Sequence, residues 1–399
     1  MANTATYLNK EKWSKDLQVS LFVENTAVFL AGTEASSVLS ADGRKFHKPI
    51  LSHPTTGTYT PGNEISDKAY VSTDEELEVD TFKYSSVYVD DTEKKQSSYE
   101  LTSRISNSMQ KQLNNLIEQA FLNRVKTDAV HTVDAGSVGG SAGSNIELLA
   151  SNASQIFTAA HTKLDLVDAP RVGRVAVVGP HTVGVLRETK AGRETGLGDS
   201  VLANGIIGPW QGWIVVQNNN LPWTATLTIA DQPTDGDTVT IAGVTFTFKD
   251  DISGGTAGYV AIGGSAAAAR ANLAYAVLGT GTVGTNYNDV SGEDRFILEK
   301  RNLSCGTDEG MLFTGNGDIV VSETFNSDSN LWSAQTQYSW FGLRGATDLC
   351  VQMPTEVEVR RADKLFGDRI QALEGYGVKT FADGARGLIA VKISAENWV

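Results

Sequence analysis

One stretch restricts this chain more than any other: residues 90–127, DDTEKKQSSYELTSRISNSMQKQLNNLIEQAFLNRVKT. Leu101, Ile105, Met109, Leu113, Leu116 and Ala120 recur at steps of three and four, so they share one face of a helical period. Ile117, Phe121 and Val125 widen that stripe, while Lys94, Arg104, Lys111, Asn115, Glu118 and Asn123 are expected on the solvated side. The pattern is that of an amphipathic helix, not of a coiled coil or a membrane span. At about 1.5 Å per residue it is on the order of 45 to 55 Å long. Asp91 or Thr92 is placed to cap its start, and Ser97 with Glu100 forms a second capping-box candidate. A strand feeds directly into this beam, and the rest of the chain has to be arranged along it.

A chain of 399 residues exceeds what one hydrophobic core usually covers, so two or three domains are expected. With 41% apolar residues, seven Trp and no long apolar run, it reads as globular rather than disordered or membrane-spanning. The opening residues, MANTATYLNKEKWSKDLQ, lack the apolar core of a signal peptide. Cys305 and Cys350 match no metal-ligand spacing and no disulfide framework, which suggests two structural thiols in a reducing compartment. A net charge of −14 argues against general electrostatic capture of nucleic acid.

Taken in order, residues 1–45 read as an arm with a short helical pattern around Trp13, Leu17 and Leu21. Residues 46–90 read as a long extended hairpin, with His53-Pro54 and Pro61-Gly62 marking its turn region. A two-stranded ribbon of this kind buries too little surface to be stable alone, so it is expected to lie on another copy of the chain. After the helix, DAGSVGGSAGS at 134–144 reads as a flexible linker. NIELLASNASQIFTAAHTKLDLV then reads as a helix, RVGRVAVVGP as a buried strand, PHTVGVLRETK as a short helix opened by Pro180, and Trp213 to Val216 as a strand. From 224 to 331 the composition shifts to Thr, Gly, Ala and Asp. Asp235-Gly236 and Ala242-Gly243 predict hairpins there, SAAAARANLAYAVLG a helix, and DRFILEKRN and GDIVVSETF further strands. The closing residues predict strands, the last two paired across Ala382-Asp383-Gly384.

LEVDTFKYSSVYVDDTEKKQSS, NGIIGPWQGWIVVQNNNLP and VEVRRADKLFGDRIQALEGYGVKTFADG, in this order, resemble the major capsid proteins of tailed phages, the Hong Kong 97-like fold. The resemblance implies an α+β subunit with an N-terminal arm (1–45), an extended loop (46–90), a peripheral domain with its spine helix (91–133 and 350–399), an axial domain (134–223 and 332–349) and an inserted, mainly β domain (224–331). It implies a non-enzymatic subunit whose principal partner is itself, forming pentamers and hexamers of an icosahedral or prolate head around double-stranded DNA that it does not read by sequence. Scaffolding protein and portal during assembly, a decoration protein on the outer surface, assembly in the host cytoplasm and residence in the virion follow from the same likeness, and no membrane does. Members of the family can join Lys and Asn side chains between subunits, which draws attention to Lys68 and Lys83. Two other readings stand beside it: a surface- or carbohydrate-binding β module on a scaffold, and an encapsulin-like cellular compartment shell.

The sharper chemical motifs are weak. Gly279, Gly281 and Gly284 spell G-x-G-x-x-G, but after a helix and before a polar loop, the reverse of a dinucleotide site. His131, His161 and His181 are isolated, with no HExxH or carboxylate cluster around them. Asp90 and Asp91 are better explained as helix caps than as an acid-base pair. Ser141 and Ser144 lack a nucleophile elbow, and the run DEELEVD at 74–80 reads as a solvated strand face sooner than as a cation site. Asn152 and Asn302 match glycosylation acceptors in a chain without a secretion signal. No catalytic, cofactor-binding or metal-ligating residue is assigned.

Overall fold

The structure is a computed structural model that describes residues 26–39, 43–52, 54–96, 101–191, 209–317, 320–362 and 365–395. Trp13, Leu17, Leu21, Ser97 and Glu100 lie outside the described residues. Two short helices, α1 (Ala27–Leu30) and α2 (Glu34–Leu39), precede an antiparallel hairpin of β1 (Lys45–Leu51) and β2 (Ser72–Glu78), in register from Lys45 opposite Glu78 to Leu51 opposite Ser72. β3 (Thr81–Asp90) runs without a gap into α3 (Asp91–Gln96), and α4 (Leu101–Asp128) is the long helix.

The 46–90 segment divides where a single hairpin was expected. The break at residues 79–80 leaves β1 and β2 as a projecting ribbon, whereas β3 joins a sheet of its own chain. That sheet has the order β15 (Thr347–Arg361), β16 (Gly367–Thr380), β3, all antiparallel. One of its faces is covered by α4: Met109 and Leu113 pack with Val89, Ile370 and Ala372, and Ile117, Phe121 and Val125 pack with Leu349 and Tyr376. α1 is seated on the far half of α4, and α2 on β15 beside Leu77 and Val79, so residues 26–39 are folded against their own chain.

A second sheet, of eight strands, lies at the other end of α4. β4 (His131–Val133) is at one edge, beside β17 (Leu388–Ser394) and then β14 (Asn330–Leu343), which also pairs with β5 (Arg174–Val178); β5 in turn pairs with β6 (Ile214–Gln217). α5 (Ala153–Asp165) and α6 (Pro180–Ala191) are its helices. Phe157 of α5, Trp213 and Phe341 meet edge to face at ring distances of 4.9 and 5.2 Å. α5 is shorter than expected, because residues 145–148 continue the sheet: Ile146 N–H donates to Lys392 O at 2.9 Å and its carbonyl accepts from Ser394 N at 2.8 Å. Nor is 134–144 a flexible linker. The Asp134 carboxylate accepts from Ser137 N and Gly143 N and closes the segment over a 3-10 turn, Ala135–Val138.

The segment expected to be inserted is divided between two sheets. β7 (Pro222–Ile229), β11 (Ser304–Cys305) and β12 (Gly310–Asn316) extend the eight-stranded sheet beyond β14. β8 (Thr238–Ile241), β9 (Val244–Lys249), β10 (Tyr259–Ala261) and β13 (Val321–Thr324) form a four-stranded sheet packed on its face through Trp223, Leu227, Phe246, Phe248, Phe313 and Trp332. Ala242 and Gly243, both at positive φ (54° and 82°), make the tight turn that joins β8 to β9, as their sequence predicts. Asp235-Gly236 instead carries the chain from one sheet to the other.

The alanine-rich helix α7 (Ala266–Leu278) is capped by Ser265 and ends at Gly279 in the left-handed conformation. DRFILEKRN is not a strand but a helix, α8 (Gly292–Lys300). Its signal was Ser291-x-x-Asp294, a capping pattern that outweighed the three apolar residues after it: Ser291 Oγ accepts from Asp294 N at 3.1 Å. Near the end, α9 (Ala382–Ala385) is a single turn, and β16 and β17 do not pair across it. The turn passes the chain from the three-stranded sheet to the eight-stranded one.

Candidate functional site

Surface left uncovered by the chain's own packing is the notable feature, and three of the places that show it among the described residues lie on or beside the ribbon, β3 and the β15–β16 hairpin. The first is the β1–β2 ribbon and the loop of residues 52–71 that joins it. The described residues of the loop are exposed, including Tyr59, Ile65, Tyr70 and Val71, and so is Leu51 at the end of β1, whereas Leu77 at the ribbon's root is buried beside α2. The strands are laced by opposite charges, Lys45 reaching Glu76 at 3.0 Å and Arg44 reaching Glu78 at 2.8 Å, and by a hydrogen bond between His47 Nδ1 and Asp74 Oδ2 at 2.6 Å. The acidic run at 74–80 is thus a solvated strand face matched by a basic one. Glu75 has a different partner, accepting from Ala382 N at 2.9 Å. Lys48 bonds Glu34 of α2 at 2.9 Å and so fixes the ribbon's root, while its tip extends free of its own chain.

The second place is the face of β3, β15 and β16 turned away from α4. Phe82, Tyr84, Met353 and Leu373 line it, Tyr84 being 79% exposed, and an open groove of about 890 Å³ runs over Pro354 between Tyr84 and Glu356. Glu356, Glu358 and Arg360 border it. The third is the tip between β15 and β16, where Phe366 is 81% exposed beside Leu365. Apolar side chains left in water on a ribbon, a sheet face and a hairpin tip mark interaction surfaces.

The start of α3 is held by charge. Asp90 is its cap, with Oδ1 accepting from Thr92 N at 2.8 Å and Thr92 Oγ1 at 2.7 Å, and these bonds hold the carboxyl below its ordinary range. Asp91 instead pairs with Arg361, and Asp368 with Lys94, tying the helix start to the β15–β16 tip.

Sequence reasoning missed one group. Glu118, assigned to the solvated side of the helix, is fully buried, as is nearly all of Asn115, while Asn123 is half-buried. Glu118 Oε1 accepts from Thr26 Oγ1 at 3.0 Å and Asn218 Nδ2 at 2.8 Å, and Oε2 accepts from Asn220 Nδ2 at 2.6 Å. Asn115 Oδ1 accepts from Asn220 Nδ2, Gln119 Nε2 donates to Lys300 O at 2.8 Å, and Asn123 bonds Asn316. One polar seam therefore joins α4 to the segment before α1, to the Asn218–Asn220 turn and to the β12 end. The only trace in the sequence was the Asn run itself.

The remaining candidates are dispersed. Gly279, Gly281 and Gly284 form the loop after α7, and Cβ atoms added at the first two would strike Arg295 and the Tyr275 ring, so their role is close packing. His161 is held between Arg174 Nη1, 2.6 Å from Nδ1, and Gln211 O, 2.7 Å from Nε2, and its ring packs at a tilt against Trp213. That bonding makes it an acceptor for a buried arginine. Cys305 is half-buried and Cys350 buried, and burial pushes both thiols up, Cys305 to about 11. Among the described residues no three His, Cys, Asp or Glu side chains are grouped to hold a metal ion. No helix among them is long and apolar enough to cross a membrane.

No protein-family model matches the sequence, and no curated protein is similar to it at a significant level. Solved structures are. The chain is similar to one from Mycobacterium phage Che8, with a TM-score of 0.59 at 18% identity over 96% of each chain. It is similar to the capsid structure of Cyanophage P-SCSP1u, with a TM-score of 0.55 at 12% identity over 99% of this chain and 95% of that one. The head structure of Helicobacter pylori bacteriophage KHP40 gives a TM-score of 0.53 at 11% identity over 99% and 98%. The likeness runs through nearly the whole length of each chain, so the fold is the α+β, Hong Kong 97-like plan of tailed-phage capsid subunits.

Proposed function

We propose that this chain is the major capsid protein of a tailed phage, a subunit that closes with copies of itself into pentamers and hexamers and then into a shell around double-stranded DNA. The observation that carries this reading is the β1–β2 ribbon, a projection with exposed apolar residues that its own chain does not cover. A ribbon of two strands is marginal in water and gains stability when laid on a neighbour. In a ring of identical subunits each ribbon meets a different patch of the next copy, and the same contact recurs until the rotation closes. Modest contacts repeated over a shell add up to a durable container. The fold shared with phage capsid chains supports the same role.

The partners follow from this reading. Scaffolding protein and a portal would guide closure, a decoration protein could seat on the outer face, and the genome would be enclosed without sequence-specific grip. Assembly would take place in the host cytoplasm, with the finished subunit in the virion.

Electron microscopy of the purified protein tests the proposal. Rings or closed particles are expected, alone or with scaffolding protein. A subunit that stays monomeric at high concentration in both conditions would sink it.

A further inference from the structure

The β15–β16 hairpin is irregular at one place, and a buried carboxyl sits there. Met353 is opposite Gly375 and Glu356 opposite Leu373, so Pro354 and Thr355 bulge where Glu374 would have had a partner on β15. Ile370, Ala372, Glu374 and Tyr376 alternate inward against α4, and Glu374 is fully buried. Its position is a seam. Ile370 and Ala372 belong to the core made with Met109 and Leu113, whereas Tyr376, Leu349 and Val378 belong to the one made with Ile117 and Phe121. Gly375, next along, has no room for a side chain, since the Phe82 ring lies 2.8 Å from where its Cβ would be.

Thr355 Oγ1 is 3.0 Å from Glu374 Oε2 and 3.3 Å from Asn114 Oδ1 of α4, while Glu374 Oε1 has no hydrogen-bond partner among the described residues. A threonine hydroxyl has one hydrogen to give. If Glu374 is protonated, its O–H donates to Thr355 and Thr355 donates to Asn114, forming a continuous chain from β16 through the bulge to the helix. If it is ionised, Thr355 turns to Glu374, the link to Asn114 is lost and a buried charge is left with one oxygen bare.

We propose that Glu374, Thr355 and Asn114 form a proton-dependent clip: with Glu374 protonated the β15–β16 hairpin is fastened to α4 at the bulge, and with Glu374 ionised the hairpin opens there to admit water.

The surroundings favour the proton. Burial raises the Glu374 pKa above its ordinary value, and the hydrogen bond from Thr355, followed by the charge of Lys83 opposite it on β3, draws it part of the way back. On β16 the neighbouring acid is Tyr376, pushed up to about 12 by burial, Glu374 and Asp80. On β15, Glu356 and Glu358 line the groove on the opposite face. From α4 the group at the clip is the neutral Asn114, and the carboxylate one turn on, Glu118, is engaged by Thr26 and the asparagines.

The sign follows. With a raised folded-state pKa, the fastened state is favoured fully below the ordinary carboxyl value of 4.5 and loses that advantage as pH rises through the raised one. Hydrogen exchange of the full-length protein between pH 4.5 and 8, corrected for intrinsic exchange rates, reads the opening in 350–361, 367–380 and 109–118. Opening that releases one proton should raise exchange by about tenfold per pH unit within the window, then level off. Glu374→Gln, whose amide can donate to Thr355 at any pH, should be protected and flat. Thr355→Val, which keeps the acid but severs the chain to Asn114, should exchange faster at low pH, near the wild-type level reached at high pH. A wild-type protein without the pH dependence, or a Glu374→Gln variant that retains it, would overturn the proposal. Because the readout is opening within one subunit, it stands or falls separately from shell assembly.

Discussion

At Glu118 a residue that any helical wheel would place in water is the best-buried carboxylate of the long helix, and the reason is local chemistry. Thr26 and the Asn218–Asn220 turn come from two distant places in the chain and converge on it with N–H and O–H donors, which replace water around the charge. Removing the acceptor strands these donors inside the protein. Glu118→Ala is therefore expected to lose about 3 kcal/mol in denaturant unfolding of the subunit and to free the segment around α1 for early proteolysis. A variant with unchanged stability and an unchanged cleavage pattern would show the seam to be incidental. Asp90, by contrast, did what its sequence position promised, capping the helix that follows β3, α3, and its lowered pKa means that its contribution is present above the ordinary value of 3.8 and fades only as pH falls through the depressed one.

The elements divide by how much of their stability is their own. β3 is a sheet strand over its full length, paired with β16 from Asp90 opposite Gly367 to Thr81 opposite Tyr376, and it buries Val89 under α4. Cutting the chain through it would unfold the three-stranded sheet of β15, β16 and β3. The ribbon ahead of it is different, because its last pair is Leu51 opposite Ser72 and every described residue between them is exposed. Replacing residues 53–70 by a two-residue Asn-Gly turn, flanked by Ser52 and Val71, whose backbones are hydrogen-bonded across the ribbon, should close the hairpin without strain. The expected product melts within a few degrees of the parent and elutes as a monomer under conditions where the parent assembles. If it forms ordinary particles, the ribbon's tip has no part in holding subunits together.

For the whole molecule, charge sets what the surface can do. A subunit of net charge −14 repels a polyanion at long range, so fluorescence anisotropy with a DNA duplex at physiological salt should show weak binding or none. Tight binding there would overturn the idea of a passively enclosed genome. The same scale shows which features were legible beforehand. The beam at 101–128, the strand feeding it, the all-buried β5, the Ala242-Gly243 turn and the helix ended by Gly279 depend on residues within a few positions of one another, and periodicity or a backbone preference determines them. Tertiary structure decided the rest. Whether β3 belongs to the ribbon or to a sheet, whether β7 starts a new unit or widens an old one, and whether Glu118 meets water or three donors each depend on partners about 90 or more residues away. The physical reason is that hydrogen-bond partners and buried area are properties of pairs, and a local pattern can state that a strand or a charge needs a partner without naming it.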